Sequence, residues 1–182
     1  MTSDARTTPR ILTRAAQALI AAAAVADVFR AAAVRDHYLH PTDASLNRSG
    51  LISMIFVYLM TLTTVLFLVW LARSRRRALE LSPEAAVPSP GWMIGAWFIP
   101  VVNLFVPRRF VLDIGRAGSA SWAQRDTTLV NLWWAAWVAH ALLLAVAGRM
   151  APGSMACLVV TEALMLAAAV LAVLVIERVT AR

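Results

Sequence analysis

Four ionisable residues, Asp27, Arg30, His140 and Glu162, sit inside apolar runs of the chain. Hydrocarbon solvates such groups poorly, so each is a candidate functional residue wherever its run crosses a membrane. His140 lies eight residues before Gly148, and Glu162 lies eight residues after Ser154. A helical hairpin turning through 148–154 sets both roughly 12 Å from its outer end, at the helical rise per residue. Asp27 is seven residues from Val34 and Tyr58 seven from Leu51, which adds two polar groups at the same level. Two arrangements fit this register. In one, Glu162 or Asp27 accepts a proton or a hydrogen bond from His140, making a chemically active cluster. In the other, Asp27 pairs with Arg30 one turn away and His140 with Glu162, and the pairs fix helix packing.

No other residue set points to a reaction. The chain has no glycine-rich phosphate loop, no HExxH and no serine in a nucleophile elbow, so a non-enzymatic protein without a cofactor is expected. His37 and His40 share a loop with Asp36 and Asp43, but their spacing fits no particular metal site and a solvated loop is expected. The single cysteine, Cys157, lies in an apolar segment, which excludes an intramolecular disulfide.

The elements that must hold these residues are membrane-spanning helices. Hydrophobic residues make up 60% of the chain, far above the roughly 45–50% of a soluble domain, and the mean hydropathy is +0.70. Leu51 to Leu71 carries no charge over 21 residues, and a hydrocarbon slab of about 30 Å needs about 20 such residues. Segments 11–34, 128–147 and 155–176 are also long enough, which predicts an all-α integral membrane protein of four transmembrane helices. The first begins like a signal peptide, with Ala24-Val25-Ala26 as a possible cleavage site. An uncleaved anchor is expected, because Asp27 and Arg30 continue the pattern to Val34.

A fifth apolar stretch, 91–107, would reach only about 24 Å as a helix, and Pro100 breaks its middle. Arginine placement decides its path. All 17 basic residues are arginine; if the stretch returns to its own side, thirteen lie on one face and three on the other, with Arg30 inside a span. If it crosses, the division becomes eight against eight. Cytoplasmic loops collect arginine, so the stretch is predicted to be a re-entrant segment and both termini to be cytoplasmic. Arginine without lysine, with heavy use of alanine, suggests a GC-rich bacterial genome and hence a bacterial inner membrane. A re-entrant backbone survives only when buried in protein or facing water, which tucks the segment against the four-helix bundle.

Around it, 78–90 contains Pro83, Pro88 and Pro90 and reads as a flexible linker. Residues 107–117 start with proline and stop before Gly118, with Phe110, Val111 and Ile114 on one face: a short amphipathic helix in the membrane interface. All seven tryptophans fall between Trp70 and Trp137, and Trp133 and Trp134 are expected in an interfacial belt.

The run from Gly91 to Pro107, containing Trp97-Phe98-Ile99-Pro100, Asn103 and Pro107 and followed by the paired Trp133 and Trp134, resembles a bacterial membrane family. That family is the domain of unknown function numbered 4328, common in actinobacteria, with the resemblance covering about residues 10–178. Arg108 and Arg109 stand where members often have an aromatic and a glutamine. The resemblance implies a multi-pass membrane protein and no particular mechanism.

A net charge of +7 usually suggests nucleic acid, but these arginines lie at the ends of apolar segments and read as topology signals and headgroup contacts. The expected function is a non-enzymatic module whose cytoplasmic surface engages anionic lipids or a partner protein. Arg73, Arg75, Arg76, Arg77, Arg108, Arg109 and the tryptophans form that surface. An alternative is a small transport or channel subunit using the Trp97–Pro107 turn, with Asn103 offering its amide to a solute. Four short spans leave little interior, so a pore requires a homo-oligomer, and the Gly91/Gly95 spacing is weak support for one.

Overall fold

A computed structural model describes the backbone of residues 4–180 and the side chains of residues 10–99 and 101–180. The side chains of Arg6, Pro100 and Arg182 lie outside the described residues. The described chain is entirely helical: α1 (Asp4–Leu39), α2 (Asp43–Leu81), α3 (Pro90–Gly95), α4 (Pro100–Asn103), α5 (Val106–Ala117), α6 (Gln124–Met150) and α7 (Met155–Thr180).

Helices α1, α2, α6 and α7 are each long and apolar enough to cross a membrane. All four run past their apolar cores. α2 has 39 residues and a length of roughly 58 Å, about twice what hydrocarbon requires. It passes without a break through Arg73–Arg77 to Leu81, so the linker expected at 78–90 begins only at Ser82. Helical propagation adds a backbone hydrogen bond for each residue fixed, and nothing stops it before the prolines at 83 and 88. At its other end α2 starts with a reciprocal cap: Thr42 Oγ1 accepts from the Ser45 amide and Ser45 Oγ from the Thr42 amide, each at 3.0 Å.

α7 is the central helix. It packs on both α1 and α6, and 44% of its apolar window is buried against 6% for α2. Alanines at 168, 169 and 172 let the neighbouring backbones approach. Outward faces are apolar instead of polar, with Phe29, Tyr58, Leu51 and Val170 more than half exposed. That is the reverse of a soluble bundle and suits a lipid exterior.

The start of α1, the end of α2 and the start of α6 are all joined to the end of α7. Trp70 Nε1 donates to Thr180 Oγ1 at 3.1 Å, Gln17 Nε2 donates to the Val173 carbonyl at 3.1 Å, and Arg178 pairs with Asp126. This is called the terminal end below. The opposite, loop end carries the turns at 40–42 and 151–154, joined by Arg35 Nε donating to the Gly153 carbonyl at 3.2 Å.

Because α2 ends and α6 begins at the terminal end, residues 82–123 start and finish there. Within them α3 and α4 make a compact turn between α2 and α6. Trp97 is its anchor: the ring meets Phe67 of α2 at 5.5 Å and Trp134 of α6 at 5.9 Å, both edge to face. Phe67 also contacts Trp70 and Trp133, and Trp133 contacts Trp134, so five rings fill the space between the helices. Trp134 Nε1 donates to the Leu104 carbonyl at 2.9 Å, and Arg108 Nε to Asn131 Oδ1 at 2.8 Å, tying the turn to α6.

α5 follows the turn and buries Phe110, Val111, Leu112 and Ile114. That apolar face, read from the sequence as an interfacial one, packs on the protein: α5 lies against α2 and α6. Gly115 faces the Trp122 ring so closely that a Cβ there would fall within 3.0 Å of its Cη2, Cζ3 and Cε3 carbons.

Candidate functional site

Two polar constellations stand out, one toward the loop end and one at the terminal end. The first gathers Asp27 and Arg30 from α1, His140 from α6 and Glu162 from α7, as matched depths predicted. Asp27, His140 and Glu162 are buried, and Arg30 is mostly so. Arg30 Nε donates to Asp27 Oδ1 at 2.7 Å, and its guanidinium lies 4.8 Å from the centre of the Phe56 ring of α2. An arginine fits here because its flat, weakly hydrated face accepts an aromatic surface while its edge holds the carboxylate.

Two details differ from the sequence reading. Tyr58 is 68% exposed and turns outward, so α2 contributes Phe56 instead. His140 does not bond to Glu162. Its Nδ1 lies 3.0 Å from the Thr161 carbonyl oxygen and its Nε2 lies 3.8 Å from Asp27 Oδ2. An eight-residue register does not say which of two adjacent positions, 161 or 162, turns toward α6, and it is the Thr161 carbonyl that meets the ring. The Thr161 hydroxyl itself is spent on the Cys157 carbonyl at 2.7 Å.

At the terminal end a cavity of about 940 Å³ opens between α1, α2 and α7. Arg10 and Arg14 of α1 and Arg73, Arg76 and Arg77 of α2 line it, with Glu80 and Glu177. Five arginines against two carboxylates leave three positive charges in excess among the described residues. Arg14 is partly engaged, donating to Gln17 Oε1 at 3.0 Å and lying 3.9 Å from Glu177. The predicted basic surface is divided by this geometry. Arg73, Arg76 and Arg77 face the cavity, whereas Arg75 donates to the Pro88 carbonyl and Arg108 to Asn131, and Arg109 is exposed elsewhere.

Trp133 and Trp134 are 6% and 5% exposed, so they form the ring cluster and are not part of an interfacial belt. Depth along the helix was readable from sequence; facing was not, because apolar residues surround both positions. Asn103 Oδ1 and Trp97 Nε1 are buried in the turn and meet no hydrogen-bond partner among the described residues. Across the turn at 40–42, Asp36 of α1 pairs with Arg48 of α2, and His37 Nδ1 lies 2.8 Å from Ser45 Oγ.

Sequence reasoning missed the clasp between α6 and α7. Arg178 Nε and Nη2 donate to the two oxygens of Asp126 at 2.7 and 2.8 Å, and Asp126 Oδ2 also accepts from the Ala123 amide at 2.8 Å. An acidic residue in a first turn and an arginine in a last turn was the available signal.

The fold and these sites define an all-helical protein with four helices of membrane-crossing length, cations gathered at one end and a buried polar cluster toward the other. The chain belongs to the family described as Domain of unknown function (DUF4328), which matches residues 34–181. The match begins inside α1, so Asp27 and Arg30 precede it. No curated protein and no solved structure matches the chain.

Proposed function

We propose that this protein is a non-enzymatic module of a bacterial inner membrane that holds an anionic lipid headgroup in the arginine-lined cavity, with both termini in the cytoplasm. The gathering of five arginines with only two carboxylates around one cavity, among the described residues, carries this reading. A phosphate ester offers several acceptors to guanidinium forks, and each basic residue near an anionic leaflet contributes on the order of 1 kcal/mol. The cavity is open at the level where headgroups would lie if the terminal end is cytoplasmic. In this setting residues 91–107 dip into the hydrocarbon and return. Phe98, Val101 and Phe105, 72%, 70% and 66% exposed, support lipid contact along the turn. α5 then lies at headgroup level with its apolar face on the bundle.

Unfolding of the purified protein in neutral detergent tests the reading. Short-chain phosphatidylglycerol should raise the unfolding midpoint, short-chain phosphatidylcholine should not, and the Arg73→Gln/Arg76→Gln/Arg77→Gln variant should lose the response. Equal responses to both lipids would overturn it.

A second reading, a small transport subunit, is favoured by two orphan groups of the turn, the Trp97 donor and the Asn103 acceptor, which meet no partner among the described residues. Solute flux through liposomes that Asn103→Leu abolishes and the arginine variant leaves intact would replace the first reading with this one.

A further inference from the structure

The cluster toward the loop end has an imbalance that hydrogen-bond chemistry resolves in one way. A carbonyl oxygen only accepts, so the His140 Nδ1 that lies 3.0 Å from the Thr161 carbonyl carries the hydrogen. In a neutral imidazole, Nε2 is then an acceptor. It faces Asp27 Oδ2 at 3.8 Å, and that oxygen receives no hydrogen bond among the described residues. Two acceptors confront each other in the interior.

Glu162 adds a second difficulty. It is 5% exposed, and its Oε2 also meets no donor. The cation of the cluster, Arg30, is committed to Asp27 Oδ1 and to the Phe56 face. Arg30 balances Asp27, and an ionised Glu162 leaves the cluster with one uncompensated negative charge inside an apolar span, an arrangement that hydrocarbon penalises heavily.

We infer that Asp27, His140 and Glu162 form a buried proton-binding site that holds one proton beyond the state of two carboxylates and a neutral imidazole. That proton brings the cluster to neutrality. Placed on Nε2 or on Asp27 Oδ2, it converts the facing acceptors into a donor and an acceptor; placed on Glu162, it cancels the uncompensated charge. The site is enclosed by Asp27 and Arg30 from α1, Phe56 from α2, Trp137 and His140 from α6, and Thr161 and Glu162 from α7. The described residues there supply no other charged side chain, so the balance is set by these four ionisable groups. Its ligand is the proton, and the site joins α1 to α6 through the His140–Asp27 approach.

Two spectroscopic measurements at neutral pH on the full chain in nanodiscs test the site. Infrared absorption is recorded in an Asp113→Asn background, which removes the partly buried carboxyl of α5. Histidine nitrogen resonances are recorded in a His37→Asn/His40→Asn chain, leaving His140 as the reporter. The expected result is a protonated-carboxyl band that Glu162→Gln or Asp27→Asn removes, or an imidazolium signature for His140. Should either neutral substitution fail to fold, Glu162→Asp keeps the acid and should shift the band. A chain with every carboxyl ionised and a neutral His140 overturns the inference, as does a band that persists unshifted in all three variants beside a neutral His140.

Discussion

Gly115→Ala gives the sharpest test of how α5 is seated. Alanine is the better helix former by about 1 kcal/mol, and Gly115 has no positive φ to lose, so helix propensity alone predicts stabilisation. The added methyl, however, would enter the space of the Trp122 ring, within 3.0 Å of three of its carbons. Overpacking of this kind costs about 1–3 kcal/mol. If the ring swings away instead, its Nε1 bond to Thr127 Oγ1, 3.1 Å long, is lost, at about 1 kcal/mol. The net expectation is a change between no gain and a loss of about 2 kcal/mol, once the propensity gain of about 1 kcal/mol is subtracted from either cost. Unfolding in mixed micelles of increasing dodecyl sulfate fraction, followed by tryptophan emission, measures it. Gly148→Ala is the control, since nothing lies within 4 Å of its added Cβ; it should stabilise by roughly 0.5–1 kcal/mol. In a Trp122→Ala background the 115 substitution should change sign and stabilise. A Gly115→Ala protein stabilised as much as the Gly148→Ala control would refute the close approach.

Trp134→Phe keeps a ring in the aromatic cluster but removes the donor to the Leu104 carbonyl, and should cost about 1 kcal/mol in the same assay. Asp126→Asn should destabilise the terminal end, and a cycle with Arg178→Met should show strong non-additivity, because the two side chains share two hydrogen bonds. Asp113 of α5 has its carboxyl held above the usual 3.8, first by burial, with Arg116 and Arg109 opposing. The folded state therefore binds the proton more tightly than the unfolded state. Its contribution to stability is present below pH 3.8 and is lost as pH rises through the folded-state titration; Asp113→Asn should abolish that loss.

Much of this was legible from spacing. The four long helices, the stop at Gly118 and the common depth of Asp27, His140 and Glu162 all follow from lengths and counts, which one-dimensional sequence preserves. Facing was less legible. Tyr58 is at the right level yet turns outward, because α2 is apolar on every side and no hydrophobic stripe marks its inner face. Residue type alone puts Trp133 and Trp134 in an interfacial belt, whereas Phe67 and Trp97, far away in sequence, give them an aromatic interior. The cavity was the least visible feature. Its arginines come from positions 10 to 77, and only packing of α1 against α2 makes them neighbours.

The inserted turn also bears on the order of assembly. α1 and α2 precede the turn in the chain and contact each other directly, so they can pair as a hairpin before it is made. The turn that follows has only half of its cradle at that moment: Phe67 is present, but Trp134 and its grip on Leu104 arrive some thirty residues later. Residues 90–105 can settle only once α6 is in place, so the lodging of Trp97 marks completion of the bundle, in the manner of a keystone set after both sides of an arch.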